Sequence, residues 1–444
     1  EARRVKLVVP RLGLLSGVGL VVANMVGAGV FLSAGFMSQE LFPGEILAAW
    51  AIGAVLALCG TISYSALANA VPRSGGEYRY LSALLHPFLG YVAGWASLLV
   101  GFAGPIAVDA HAAGAFAAKL WPGLDPNRFG AVLILGLVAF HALDMRVSKS
   151  AQNAFVALKV TLLFAFIVLG LTYGSRELPA TVPPSRASDF PVGAFVTSLF
   201  FIAYAFSGWN AAVYSSEEFR DPKRDVVRSM LIGCGSVGVA YLLVNFVLLA
   251  NVTPESAAVV FRYESERLTL AHVVIERLFG LRMANVASAA LALALFSAAS
   301  AMMFVGPRVY AAMAADGFLP SWLVAKRGRP PVVAVLLQGA VALLILYTHR
   351  VQEVLQNVGA ILTLFSALTA FAVFKLRSRR PGESPSRLAV AAAVVYTASA
   401  AFMIVMALRQ SPTLWVWALS FVAIAGVIYA LTRRADRNAP APRD

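Results

Sequence analysis

Two short stretches of this chain hold the residues best suited to chemistry. Asn24 to Phe31 (NMVGAGVF) and Tyr204 to Asn210 (YAFSGWN) each place helix-weakening residues in the middle of a long apolar run. A helix interrupted inside a bilayer leaves N–H groups bare at the start of one half and carbonyls bare at the end of the other, and both need polar partners. At Gly27, Ala28 and Gly29 little side-chain bulk keeps a ligand from the backbone, and the positive end of the half-helix that follows suits a carboxylate. Freed carbonyls from Tyr204 through Ala205 and Ser207 to Gly208 suit an ammonium group, so a zwitterion would satisfy both breaks. Alone, Gly27 and Gly29 would be read as small residues that let helices pack closely. The second break, at a corresponding place in the chain, turns the reading toward a midplane ligand site.

Ionisable residues inside apolar runs are the next signal, because a charge at membrane depth is costly and is kept for a function. Lys159 lies ~12 Å into its span at ~1.5 Å per residue, too deep to reach the interface comfortably. Asp109 could face a ligand and favour a cationic side chain or a proton, or it could face a water-accessible vestibule or a neighbouring helix. His111, two residues on, falls on a different helical face, so the two do not form a pair. His141 and His86 read as interfacial, and Glu77, Glu217, Glu218, Arg220 and Asp221 fall in loops where solvation is the simple expectation.

The elements that position these residues follow from composition. The chain has 444 residues, 59% hydrophobic and only 13% charged, so lipid is its expected solvent. A spanning helix needs ~20 largely apolar residues, and continuous apolar runs without alternation favour helices over a barrel. The expected spans are 12–39, 45–70, 86–117, 128–143, 151–173, 193–216, 230–250, 285–314, 331–347, 352–375, 387–408 and 413–432. The fold class is therefore an all-α integral membrane protein of about twelve helices. Thr253 to Leu281 has the pattern of a loop with a short surface helix, and the tail after Thr432 reads as disordered.

A formal charge of +14 raises nucleic acid as a partner, and the placement of the charges argues against it. With both termini cytoplasmic, 24 of the 36 Lys and Arg fall on the inner side and ten on the outer, leaving Lys159 and Arg308 in or near the spans. That asymmetry obeys the positive-inside rule and implies a multi-pass protein of the cell's inner (plasma) membrane. No signal peptide is apparent. Cys59 and Cys234 sit in apolar runs as small core residues.

Rival classes lack their signatures. Gly233, Gly235 and Gly238 form a GxGxxG, but no strand precedes them, which leaves packing. Neither HExxH nor GxSxG occurs, so no enzyme, cofactor or metal site is expected. A channel would need a charged ring or open polar file. A membrane amino acid sensor remains the alternative class, to be told apart by binding without transport.

Four motifs in order then carry a resemblance: NMVGAGVF, VPRSGGEYRYL from Val71 to Leu81, SGWN followed by SSEEFRDPKRD, and GPRVYAAMAADGFLP from Gly306 to Pro320. Together they resemble the amino acid, polyamine and organocation transporter superfamily over nearly the whole chain, and within it the L-type amino acid transporter branch and its bacterial relatives. The resemblance implies two inverted five-helix repeats, residues 1–173 and 193–375, with helices 1 and 6 broken. Two additional helices at 387–432 and a cytoplasmic tail at 433–444 would follow.

It further implies alternating access around a site where Gly27, Ala28 and Gly29 take the substrate carboxylate and carbonyls near Met25, Tyr204 and Ser207 take the amino group. Tyr204 would close over the substrate. Lys159 would stand where sodium-coupled relatives bind the cation, near Ser297 and Ser300, and Glu77 with its loop neighbours would join inner-face networks. The function implied is sodium-independent exchange of small or neutral L-amino acids. Proton-coupled or facilitative permeation remains the alternative, cationic amino acids being possible through Asp109. No partner subunit is expected to be required.

Overall fold

The computed structural model describes residues 12–410 except 72–75, 144–148, 180–182, 184–188, 316, 318, 325–329 and 377–383, together with 422–423, 425–427 and 429–430. The expected last span, 413–432, and the tail 433–444 therefore lie mostly or wholly outside the described residues.

Helix dominates because every backbone group in hydrocarbon must be satisfied within its own segment. The first run is two helices, α1 (Leu14–Met25) and α2 (Gly29–Met37), which meet at Val26, whose ψ of 97° has left the helical range. The second is α3 (Pro43–Ala70), begun by Pro43 at a position whose N–H no helix needs. After the short α4 (Glu77–Tyr80), the third run is α5 (Pro87–Ala96), a π-helical stretch over Ser97–Phe102, and α6 (Ala103–Leu120). Nothing in the composition announces that π stretch. His86 is the N-cap of α5, its Nδ1 accepting from Phe88 N at 3.1 Å.

The fourth and fifth runs are α7 (Pro126–Ala142) and α8 (Lys149–Tyr173). The sixth is again broken, into α9 (Val192–Ala205) and α10 (Ala211–Tyr214), with Gly208 at φ +100° between them. Its regular part is shorter than the run 193–216 suggests. The seventh is α11 (Val227–Ala250), preceded by a turn in which Asp221 caps Arg224 N at 3.2 Å. Where one surface helix was expected there are two, α12 (Pro254–Arg262) and α13 (Glu264–Leu268). The eighth run is α14 (Leu270–Ala315), bent at Gly280 with φ +80°. Then come α15 (Val332–Thr348), α16 (Val351–Phe371) and α17 (Arg387–Gln410).

Helices α6 and α14 pack along each other, as do α3 with α11 and α9 with α16, so the broken sixth helix is held by unbroken neighbours. Large apolar side chains point outward on the opposite faces, among them Val132 (71% exposed) and Leu344 (62%). In water such a surface would aggregate; in lipid it is the solvated one. Asn251 donates through Nδ2 to Val247 O at 2.8 Å and accepts from Ser175 N at 2.9 Å, so its buried amide is engaged on both sides.

Candidate functional site

Gly208 meets the main chain of the first break: a Cβ on it would lie 2.8 Å from both Asn24 C and O. Gly29 meets the sixth helix in the same way, its missing Cβ lying 2.6 Å from Ala205 Cα and 3.0 Å from Tyr204 Cδ1. Two chain segments about 180 residues apart thus touch backbone to backbone, which only glycine allows. Gly27, by contrast, has open space where a Cβ would stand.

The carbonyls freed by the breaks are partly engaged from within. Tyr241, buried on α11, places its hydroxyl 2.6 Å from Met25 O and 3.2 Å from Ala205 O. Its single proton goes to the nearer carbonyl, and each carbonyl keeps a lone pair for an ammonium group. Ser207 N donates to Tyr204 O at 2.9 Å. The ring of Tyr241 is fixed edge-on by Trp50 (5.6 Å between centroids) and Phe206 (5.3 Å). Sequence reading missed Tyr241, because a tyrosine in an apolar span carries no mark of where its hydroxyl will land. Tyr241→Phe is expected to cost ~1–3 kcal/mol by leaving Met25 O without its donor, read as a lower melting temperature and slower uptake. Unchanged values of both would remove Tyr241 from the site.

Lys159, 7% exposed, lines a cavity of about 20 Å³ with Val26, Gly27 and Phe31 of the first helix and Leu291, Ala294 and Leu295 of α14. That places it between the first break, the fifth helix and the eighth. Of the neighbours expected for it, Ser297 and Ser300, the second has its Oγ 3.1 Å from His141 Nε2. The part of α14 that lines the cavity is the turn before them. His141 is buried rather than interfacial, since that hydroxyl gives its ring a partner inside the bundle.

Asp109, 3% exposed, lies close to Lys159 and to the backbone of Ala28 at the first break. It also lies near Tyr204. Of the readings open from sequence, the vestibule does not hold, because α6 turns Asp109 toward the first break. His111 goes the other way, with Nδ1 2.8 Å from Asn127 Oδ1, and lines a polar space of about 690 Å³ with Lys119, Glu266 and Arg350. Lys119 and Glu266 pair across that space at 2.6 Å. Tyr204 is buried against Gly29, not lipid-facing.

On the opposite, α1 and α10 side of the breaks lies a cavity of about 210 Å³ lined by Asn24, Ser207, Gly208, Asn210, Ser366 and Glu77, among others. Glu77 departs from the simple expectation of a solvated loop carboxylate. It is 8% exposed and its Oε1 accepts from Tyr64 (2.6 Å), Ser366 (3.2 Å) and Asn210 (3.4 Å). Glu217 and Glu218 are exposed as expected. The GxGxxG glycines are helical. A Cβ on Gly233 would meet Val21 at 2.6 Å, and one on Gly235 would meet only open space.

A family profile described as "Amino acid permease" matches residues 12–431. The chain is 25% identical over 434 residues to the large neutral amino acids transporter small subunit 2 of Rattus norvegicus, covering 95% of this chain and 80% of that protein. It is also 25% identical over 417 residues to the b(0,+)-type amino acid transporter 1 of Homo sapiens, covering 90% and 83%. The first of these is by name a small subunit, a component of a larger assembly, which overturns the expectation that a protein of this kind requires no partner subunit. With two broken helices in backbone contact at Gly29 and Gly208 and a profile match along almost its whole length, the chain belongs to the amino acid permease family, whose members are membrane transporters and not enzymes.

Proposed function

We propose that this protein carries small or neutral L-amino acids across the membrane by alternating access, without sodium and by exchange. The observation that supports this best is the meeting of two helix breaks of opposite sense. The N-terminal end of α2, at Gly27 to Gly29, would take the substrate carboxylate, and the carbonyls of Met25, Ala205 and Ser207 would take its ammonium group. Tyr204, packed on Gly29, would close over the bound molecule. Lys159 puts a fixed ammonium between the first, fifth and eighth helices, where a bound sodium ion would meet like charge. In this reading residues 1–173 and 193–375 form inverted repeats, and 387–432 supplies the last two helices. The membrane is the cell's inner one, with both termini in the cytoplasm, as the 24 inner and ten outer Lys and Arg support.

Proton-linked uptake is a second reading, favoured by Asp109 beside Ala28 and Lys159. One experiment tests both. Purified protein in proteoliposomes is expected to take up labelled neutral amino acids equally in sodium and in choline, and faster into vesicles preloaded with unlabelled substrate. Accumulation driven by a pH gradient into empty vesicles would select the second reading. Failure to move any amino acid would sink both.

A further inference from the structure

The half-helix α2, which begins at Gly29, is enclosed along its whole length, all nine of its residues being buried. Its far end is roofed by α13. Gly35 faces the main chain of that roof, where a Cβ would overlap Arg267 O, so the two backbones touch as only glycine allows. Arg267 sets its guanidinium 6.0 Å over the Phe36 ring, and its Nη1 donates to Phe261 O at 3.0 Å. Gln39 Nε2, just past α2, donates to that same carbonyl at 3.1 Å. Moving α2 or α13 alone would break all of these contacts, so the two behave as one unit.

The tie from this unit to α6 is of another kind. Lys119, in the last turn of α6, donates through Nζ to both carboxylate oxygens of Glu266 on α13, at 2.6 and 2.8 Å. Each side chain is only 21% exposed, so water competes for the pair less than it does at an open surface. Salt bridges at such boundaries are the contacts that exchange when rigid units rearrange, because charge and direction hold them and not an interlocked core. The pair lines the 690 Å³ space, and from it α6 runs along that space to Val108, ~16 Å deeper at ~1.5 Å per residue, where exposure has fallen to 1%.

We propose that the Lys119–Glu266 ion pair is a latch that holds the α2–α13 unit against α6, closes the path from the 690 Å³ space to the substrate site, and parts when the site is exposed on that side. The inference rests on the transport reading above, in which the two breaks are reached alternately from opposite sides. The 210 Å³ cavity at Asn24 and Ser207 is the approach from the other side. Loss of the pair leaves both breaks and Lys159 untouched and shifts the balance between the two exposures.

Thiol labelling reads both sides in purified, detergent-solubilised protein whose Cys59 and Cys234 are replaced by alanine. Val108→Cys reports the latch side, and Ala57→Cys, in the lining of the 210 Å³ cavity, reports the other. With a bulky hydrophilic maleimide, Lys119→Ala and Glu266→Gln are each expected to speed labelling at the first position about fivefold, as for a pair worth ~1 kcal/mol at ~1.4 kcal/mol per decade. Labelling at the second position is expected to slow. A merely structural role would loosen the fold and speed both. Reversing the pair, with Lys119→Glu and Glu266→Lys together, is expected to return both rates toward the wild type.

Single variants that label like the wild type, faster labelling at both positions, or a reversed pair that labels like the single variants each overturn the proposal. Saturating alanine or leucine tests the transport reading separately, since a transported substrate redistributes the two exposures and alters the wild-type rates. If these amino acids alter the rates and the latch variants do not, this inference alone fails. If they alter neither rate, it is the transport reading that fails, and the opposed shifts in the latch variants still decide the role of the pair.

Discussion

Lys159→Ala is expected to reduce amino acid exchange at least ~100-fold, which corresponds to ~2.8 kcal/mol at ~1.4 kcal/mol per decade. The reason is positional. Lys159 lines one small cavity with Val26 and Gly27 on the first helix and Leu291, Ala294 and Leu295 on α14, so it stands between the first break and the eighth helix. Removing it also leaves the buried carboxylate of Asp109 without its cation, and an uncompensated buried charge costs ~3–5 kcal/mol. The variant could then fail simply by unfolding, and a second variant separates the two causes. In the double variant Lys159→Ala with Asp109→Asn no charge is left unbalanced, so thermal stability is expected to return toward the wild type while exchange stays low. Wild-type exchange in Lys159→Ala would remove the lysine from the mechanism. Restored exchange in the double variant would assign it a purely structural role.

The second large effect is expected at Gly208. With φ +100° the residue occupies a conformation that costs an L-residue ~1–2 kcal/mol, and a Cβ would overlap the backbone of Asn24 at 2.8 Å. Backbone at a helix break has no rotamer by which to yield, so the two broken helices must separate. Gly208→Ala is expected to lower exchange by ~100-fold or more, taking ~1.4 kcal/mol per tenfold as the conversion. Gly235→Ala, in a helix with open space beside it, is the control and is expected to keep wild-type uptake. Equal activity of the two variants would show that contact between the breaks is dispensable.

Where these residues came to lie was legible to different degrees. The breaks could be read from sequence because their cause is local: glycine and small polar residues weaken a helix wherever it runs, and both interruptions fall within the stretches so marked. Lys159 could be read because a cation many residues from either end of a span is anomalous whatever its neighbours. The spans themselves follow from length and apolarity, although their ends shift where caps and π turns intervene, as at Ser97–Phe102.

Other features have causes that are not local. Tyr241 Oη finds Met25 O across 216 positions of chain, and only the crossing of α11 over the first break brings them together. Ser300 Oγ finds His141 Nε2 across 159 positions of chain, because the packing of α14 on its neighbours sets which face a given turn presents. Glu77 could be read from sequence as a solvated charge or as a member of an inner-face network, and nothing near it in the chain decides between them, because Tyr64, Ser366 and Asn210, which enclose it, come from remote segments.

By itself, then, the sequence determined an all-α membrane protein with two interrupted helices and a buried lysine, because hydropathy, helix propensity and the cost of charge in lipid act over a turn or a span. Which hydroxyl satisfies which carbonyl, which way Asp109 faces and which carboxylate is buried were decided only by tertiary structure. The physical reason is that hydrogen bonds and desolvation depend on what lies within ~3 Å, and for these groups that neighbourhood is supplied by helices remote in the chain.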